Sequence, residues 1–429
     1  MTPAAIITVI SAYFAVILFI SWFTGRKSDN AGFFSGNRKQ SWYVVAIAMI
    51  GSAMSGVTFV SVPGMVATSG FGYMQMALGF IAGQIVIAFV LIPLFYRMNL
   101  VSIYGYLENR FGLSSYRTGA WFFFISKMLG ASVRLYLVCI ALQMMVFGPL
   151  GLPFIVNVAV TVLILIAYTF RGGVKAVIWI DFLKTFCMIV SIALCTIFIS
   201  KSLGFTFGSM CEAVAGSDMS RIFYFDDPDH PQYFFKQFFG GMFTLIAMTG
   251  LDQDMMQRPL TCKNFRDSQK NIITSALLQT VVIFLFLTLG VLLYFFAGAN
   301  GIDATGDTLF PAVATSGLLP AIVGIVFVVG LVSCSYAAGG SALTALTTSF
   351  TVDILGTAGK SEKEVKSMRE KVHIGMAVCM GLTIAVFNFI NNTSAIDAVY
   401  KLASYTYGPI LGMFVFGMAC KKPVNDKLV

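Results

Sequence analysis

Apolar windows of roughly 20 residues, the length that a helix needs to cross about 30 Å of hydrocarbon, recur along this whole chain. Of its 429 residues, 58% are hydrophobic and 11% are charged, whereas about a quarter of the residues in a soluble domain are charged. We therefore predict an all-α polytopic membrane protein with about eleven transmembrane helices. The expected spans are 4–24, 41–69, 74–97, 116–147, 152–170, 176–201, 233–256, 271–298, 318–354, 371–391 and 396–419.

The distribution of Lys and Arg predicts the orientation in the membrane. One set of alternate loops holds most of these residues, whereas the other set holds only Lys201 and Arg221. Because short cytoplasmic loops carry the basic excess, we expect an external N terminus and a cytoplasmic C terminus, in a plasma membrane such as a bacterial inner membrane. The first span is followed, not preceded, by basic residues, which opposes a cleavable signal peptide.

The composition leaves little material for enzyme chemistry or nucleic-acid binding. The eight cysteines form no CxxC pair and the two histidines fall in or beside loops, so we expect no disulfide framework, zinc site or cofactor other than bound sodium. The formal charge of +9 is mostly the topology signal. The expected partners are a small-molecule solute and membrane lipids, with no nucleic acid and no obligate protein partner.

The number of spans indicates an internal symmetry. After the first helix, the next five spans and the last five can be laid over each other, and an odd number in each half gives the halves opposite orientations, as in inverted-repeat transporters. The predicted segments are an extra N-terminal helix at 1–30, a first repeat at 31–201, an external loop at 202–232, a second repeat at 233–420, and a cytoplasmic tail at 421–429 that could be truncated.

In such transporters the first helix of each repeat is interrupted, and the exposed backbone binds solute or ions near the midplane. The stretch "MIGSAMSGVTFVSVPG" at 49–64 combines glycines with hydroxyl side chains, which close packing does not require, and it predicts such a break. In the second half, Gly240 and Gly241 are the corresponding candidates. For this pair, close helix packing is an equally good interpretation.

Ionisable residues deep in a span are costly and usually face a cavity or a partner. Arg134 lies near the centre of its span, where a guanidinium would bind a carboxylate through two hydrogen bonds. The alternatives are that it extends to the membrane surface or bonds to a helix-end carbonyl. Asp181 and Lys184 share one helix face and could be a simple ion pair. Lys401 lies a few residues inside the last span.

Five stretches carry a family resemblance: "YGYLENRFG" (104–112), "GGVKAVIWIDFLK" (172–184), "GLDQDMMQR" (250–258), "GGSALTALTTSFTVDIL" (339–355) and "YGPILGMFVFGM" (407–418). Together they resemble the sodium:solute symporter family, from about residue 5 to 422. The resemblance implies the leucine-transporter fold and a secondary active transporter that imports a small organic solute by alternating access, with sodium as the coupling ion. It also implies that Asp252, Asp254 and Arg258 meet water and headgroups at a cytoplasmic helix end, as anchors or gate contacts.

The site residues resemble those of the sialic acid branch of the family. In that branch a Ser and a Thr at the first break, a Phe and a Gln on the next helix, and an Arg that takes the carboxylate hold the solute. The matching residues are Ser55, Thr58, Phe71, Gln75 and Arg134. This match implies an anionic sugar or sugar acid such as sialic acid, although Phe71 and Gln75 could equally be packing residues. We add Lys401 as a further candidate solute contact.

The cation site agrees less well with the family. The resemblance implies a sodium ion between the carbonyls of Gly51 and Met54 at the break, the carbonyl of Cys334, and two hydroxyls. Those two hydroxyl positions are Ala337 and Ala338. A methyl group cannot coordinate a hard cation, which takes oxygen ligands.

A second sodium site of some relatives corresponds to Asp181 and Ser341, with Gly340 at a further hydroxyl position. Sodium is therefore the coupling ion that the family implies. The alternatives are a proton-coupled or facilitative carrier and a solute sensor that keeps the fold without transport.

Overall fold

The structure, a computed structural model, describes residues 3–26, 29–170, 172–390, 393–420 and 422–426. Within these ranges the regular structure is helical, apart from one isolated bridge between Gln40 and Cys262. The prediction of an all-α fold is confirmed.

The helices of the first part of the chain extend to residue 202. They are α1 (Pro3–Gly25), α2 (Asn30–Ser35), α3 (Trp42–Ala53), α4 (Gly56–Gly64), α5 (Val66–Ser69), α6 (Tyr73–Val86), α7 (Ile92–Arg97), α8 (Gly105–Arg110), α9 (Leu113–Leu142), α10 (Phe154–Thr169) and α11 (Gly173–Ser202).

The helices of the second part begin after a short connection. They are α12 (Phe207–Ala215), α13 (Phe234–Leu245), α14 (Gln253–Met256), α15 (Phe265–Ala299), α16 (Leu309–Thr315), α17 (Ala321–Ser349), α18 (Glu362–Ile390) and α19 (Thr393–Ala419).

Several helices continue through π-helical turns. Such turns are rare in proteins overall, and those that occur are often found at functional sites. The turn at Ile87–Leu91 joins α6 to α7, and the turn at Ile246–Gly250 extends α13. Within the described residues, seven helices are long and apolar enough to cross a membrane, or up to nine if each of two bent pairs is one span. The count of about eleven spans stays a prediction.

The first bent span consists of α3 and α4. An angle of 67° separates Trp42–Ala53 from Thr58–Gly64, and Met54 and Ser55 between them have extended backbone. The hydroxyl of Ser55 accepts a hydrogen bond from the backbone N–H of Thr58, whose own hydroxyl accepts one from the N–H of Ser55. This capping box begins α4, so the break predicted at 49–64 is confirmed.

The second bent span consists of α13, extended to Gly250, and the segment Gln253–Thr261, at 72° to each other. Gly240 and Gly241 lie inside the regular helix α13, so the interpretation of this pair as the break is wrong. The chain bends about ten residues later, where the carboxylate of Asp252 accepts the N–H of Met255 and caps the helix that follows.

Helix α11 occupies a central position, in contact with α1, α3, α15 and α17. Its side chains Asp181, Lys184 and Thr185 are fully buried. A Cβ atom at Gly51 of α3 would lie 2.5 Å from Oγ1 of Thr185 and 2.7 Å from the carbonyl oxygen of Asp181. The small residue therefore allows α3 to approach the charged face of α11.

The described tail, residues 422–426, contacts the beginning of α9. The carboxylate of Asp426 accepts the backbone N–H of Ser114 at 2.8 Å and of Ser115 at 2.9 Å. Arg110 donates through Nη2 to the carbonyl oxygen of Lys422 at 2.9 Å. These bonds hold the tail against α8 and α9.

Helices α6 and α13 approach each other along a seam of glycines. A Cβ atom at Gly79 would lie 2.1 Å from the carbonyl oxygen of Phe238, and one at Gly241 would lie 2.6 Å from the carbonyl oxygen of Met76. The neighbouring Gly240 faces open space, because a Cβ atom there would have no neighbouring atom within 4 Å. The packing interpretation is therefore right for Gly241.

This difference predicts opposite effects for the same substitution one residue apart. Gly241→Ala forces the two backbones apart and should destabilise the protein by about 1 to 3 kcal/mol. Gly240→Ala meets no neighbour and should be neutral or stabilise α13 by up to about 1 kcal/mol through helix propensity. The apparent melting temperature of the purified protein in detergent measures both, and equal effects would contradict the proposed seam.

Candidate functional site

A cavity lies where the two bent spans approach α9, α17 and α19. It has two compartments, with volumes of about 130 Å³ and 170 Å³, and each has room for several water molecules. The first extends to Ser341 and Arg258, and the second extends to Met54 and Thr58. The residues that line both compartments are Ser52, Lys127, Arg134, Met248, Met255 and Tyr407.

Arg134 of α9 is a half-buried cation that lines both compartments. The structure gives it no ion pair or hydrogen bond with any residue that it describes. The alternative in which this side chain extends to the membrane surface does not apply, because the side chain faces the cavity. Among the described residues, nothing prevents its guanidinium from binding a ligand.

The N-terminal turn of α4 contributes Thr58 to the compartment that Arg134 also lines. The N terminus of a helix carries a partial positive charge and unpaired N–H groups, which favour anions. Ser55 and Thr58 bond to each other at this terminus, with 3.3 Å between their hydroxyl oxygens. The structure thus places two of the predicted solute residues at the break, and one of them lines a compartment together with Arg134.

Arg258 is the centre of a buried network of charges. Its Nε and Nη2 atoms lie 2.9 Å and 2.8 Å from Oδ2 of Asp181 on α11, and its Nη1 lies 3.3 Å from Oδ1 of Asp254. Ser341 of α17 accepts a hydrogen bond from Arg258 and donates one to Asp254. Arg258 is fully buried. Through these contacts, its side chain connects α11, α14 and α17.

Lys127 of α9 extends the network to the cavity wall. Its ammonium lies 2.7 Å from Oδ2 of Asp254 and 3.1 Å from Oδ2 of Asp252, and the hydroxyl of Tyr407 donates to the same Asp252 oxygen at 2.6 Å. Asp252 and Asp254 are 1% and 6% exposed. The expectation that they and Arg258 meet water and headgroups is therefore wrong, because each has a partner inside the fold.

Lys184 of α11 has a different partner. Its ammonium donates to the carbonyl oxygen of Met54, at the end of α3, over 2.7 Å. It forms no ion pair with Asp181 within the 4.0 Å limit for such pairs, so the interpretation of Asp181 and Lys184 as a simple pair is wrong. Asp181 instead pairs with Arg258.

The formal charges of these six side chains cancel, since three are cationic and three are carboxylates. The cations are Lys127, Lys184 and Arg258, and the carboxylates are Asp181, Asp252 and Asp254. Arg134 then stands out among the described side chains of the cavity as a cation without a counter-ion. An uncompensated charge in a membrane interior is costly, so the cavity favours an anionic ligand.

Phe71 and Gln75 do not line the two compartments. Phe71 packs edge-on against Phe284. The amide of Gln75 donates to the carbonyl oxygen of Gln232 at 2.8 Å and accepts the N–H of Tyr224 at 3.1 Å. Both side chains thus bond or pack elsewhere, and their role in solute binding stays a prediction.

The residues predicted for the cation sites lie on several helices around α11. Cys334 and Ala337 are buried on α17, and Ala338 lines the first compartment. At the second predicted site, a Cβ atom at Gly340 would lie 2.0 Å from the hydroxyl of Tyr168, so a larger residue there would require the Tyr168 side chain to move. Oδ1 of Asp181 is buried and has no partner among the described residues, which leaves one oxygen free for a cation.

Lys401 lies in α19, but its side chain lies outside the described part of the chain. The sequence analysis did not identify Ser52, Lys127 and Tyr407 as cavity residues. Lys127 carried a usable signal, because it is seven residues before Arg134 and thus two helical turns away on one face of α9. Tyr407 carried none, since an aromatic residue is common in any span.

Two broken helices around a charged cavity are typical of membrane transporters with discontinuous spans. The profile described as "Sodium:solute symporter family" matches residues 33–427. The chain belongs to the sodium:solute symporter family, as its motifs predicted. It is therefore a multi-pass membrane transporter of a small-molecule solute and not an enzyme.

Named relatives align over most of the chain. The sodium/sialic acid symporter NanT of Aliivibrio fischeri is 24% identical over 96% of this chain and 82% of its own length. The human sodium/iodide cotransporter is 24% identical over 95% of this chain, which spans 64% of that relative. A solved structure of a sodium-coupled sialic acid symporter, substrate-bound and outward-open, has a TM-score of 0.83 at 20% identity, covering 97% of this chain and 87% of that chain. The two proteins share a fold.

The network around Arg258 predicts a rescue between two substitutions. Arg258→Met leaves the carboxylate of Asp181 buried without its partner, which should cost about 3 to 5 kcal/mol. Adding Asp181→Asn removes that uncompensated charge and should recover part of the loss, whereas Asp181→Asn alone should cost less because Arg258 keeps Asp254. Melting temperatures of the four proteins form a double-mutant cycle. Strictly additive effects would contradict the pairing.

Proposed function

We propose that this protein imports a small organic anion, such as the carboxylate of a sugar acid like sialic acid, by sodium-coupled symport. The observation that carries the proposal is the guanidinium of Arg134, which pairs with no described residue and lines a cavity whose other described charges cancel. A guanidinium binds a carboxylate through two parallel hydrogen bonds. In the low-dielectric interior, this pairing is stronger than the same contact in water.

Other features of the cavity support an anion. Thr58 and the N terminus of α4 offer a hydroxyl and a partial positive charge beside the compartment that Arg134 lines. The relatives named above transport sialic acid and iodide according to their names, and both solutes are anions. A neutral solute would leave Arg134 without a counter-ion.

The remaining predicted contacts fit the same proposal if Gln75 and Phe71 change their contacts. Gln75 would have to exchange its bonds to Gln232 and Tyr224 for bonds to the solute, and Phe71 would have to cover the solute from the same side. Ser55 and Lys401 are the other proposed contacts. Because Gln232 and Tyr224 lie in the segment at 202–232, this exchange would make that segment part of the closure around the solute.

Alternating access gives the two halves their role. We propose that the repeats at 31–201 and 233–420 change their relative orientation around the cavity, with the N terminus outside and the C terminus in the cytoplasm. A ligand drives this change only through different affinities for the two states. The free Oδ1 of Asp181 offers an oxygen ligand for the coupling sodium, and Ser341 would have to exchange its bond to Arg258 to offer a second.

Uptake measurements test the anion. In proteoliposomes with an inward sodium gradient, the protein should accumulate radiolabelled sialic acid or another sugar acid and not a neutral sugar. Arg134→Gln should lower kcat/KM by about 100-fold or more, as expected for a lost charge-assisted hydrogen-bond pair of about 3 kcal/mol. Arg117→Gln is the matched control, because Arg117 is an exposed residue of the same helix α9, and it should leave uptake unchanged.

The result identifies the alternatives. Unchanged anion uptake by Arg134→Gln would overturn the proposal. Accumulation that persists when choline replaces sodium would favour a sodium-independent carrier, which the alanines at 337 and 338 also favour. Thermal stabilisation by the anion without any flux would favour a solute sensor on this fold.

A further inference from the structure

The C-terminal end of α3 has the features of a cation site. In transporters with broken helices, the carbonyls of an unwound segment and the C-terminal ends of half-helices coordinate the coupling cation, because these ends carry a partial negative charge. Met54 stands at this end of α3, and Cys334 of α17 is buried. Such a site normally receives an ion from solution.

Here a cation of the protein bonds to this end of α3. The ammonium of Lys184 is fully buried and donates to the carbonyl oxygen of Met54 at 2.7 Å. The carboxylate of Asp181, one turn earlier on α11, also acts on this ammonium with favourable sign. The lysine crosses from α11 to α3 and brings its positive charge to the end of the half-helix.

The residues of α17 lack the ligands that sodium needs. Ala337 and Ala338 of α17 carry only methyl groups, and sodium, a hard cation, takes oxygen ligands. A lysine ammonium has three donors and needs only as many acceptors, so it tolerates methyl neighbours better than a bare ion. The added cation and the two missing hydroxyls thus both disfavour sodium at this position.

We infer that the ammonium of Lys184 replaces a sodium ion at the break between α3 and α4, so that no sodium binds there. The consequence of this inference for transport rests on the proposed sodium-coupled function. Any coupling sodium then binds outside this break, and each transport cycle carries one sodium ion fewer than with a second site here. Lys184 also fixes the break between α3 and α4 without any bound ion.

Sodium binding tests this inference without any assumption about the solute. The purified protein in nanodiscs is equilibrated with radioactive sodium, and the bound ions per protein are counted. Ala337→Ser with Ala338→Ser restores the hydroxyls, and from the sequence alone this pair would be expected to restore sodium binding. Because Lys184 fills the position, we expect the wild-type count. Adding Lys184→Ala to this pair should raise the count by one.

A matched control uses a second lysine of α11. Lys201→Ala, at the exposed end of this helix, combined with the two serines should keep the wild-type count. An additional sodium ion in the two-serine protein that retains Lys184 would overturn the inference, because the ammonium would then not exclude the ion. An unchanged count in the folded triple variant would also overturn it.

The inference stays testable if Lys184→Ala prevents folding. The two-serine protein then decides alone, through its sodium count and through the sodium-dependent shift of its melting temperature, which should equal that of the wild type. Because no solute is present in these measurements, a wrong solute in the proposed function does not change their result. A negative result for anion uptake and a negative result for the inference about Lys184 can thus be distinguished.

Discussion

The interior of this protein depends on one buried guanidinium. Arg258 pairs with Asp181 of α11 and Asp254 of α14 and bonds to Ser341 of α17, so a single side chain joins both halves of the chain. Removing an ion from water costs several kcal/mol, which only well-placed partners offset. The second bent span can therefore end in charged residues inside the fold, because each of them has a counter-charge.

The charge that the cavity offers to a solute follows from this pairing. The carboxylates near it are bound to Arg258 and Lys127, and Lys184 contributes its charge to the end of α3. Arg134 has no such partner among the described residues, and its charge is available to a solute. The same electrostatics thus favours an anion in the cavity and a protein cation at the break of α3, where a mobile ion would otherwise bind.

Some of these features could be predicted from the sequence. Arg134 is conspicuous as a lone cation in an apolar window, and the serines and glycines around Ser55 differ from a packing surface in their polarity. The second break could not be predicted in the same way. In the sequence, Gly241 resembles a helix breaker, but its lack of a side chain allows close contact with α6. The bend occurs at Asp252, whose carboxylate caps the next helix.

The sequence by itself determined the all-α membrane architecture, the family and the cationic centre of the cavity, since hydrophobic length, local motifs and an isolated charge are properties of contiguous residues. Only the tertiary structure decided which charge meets which partner. Lys184 lies three residues from Asp181 but bonds to Met54, 130 residues away in sequence. In a medium that cannot solvate ions, the packing of helices selects the counter-group, and sequence distance carries no information about it.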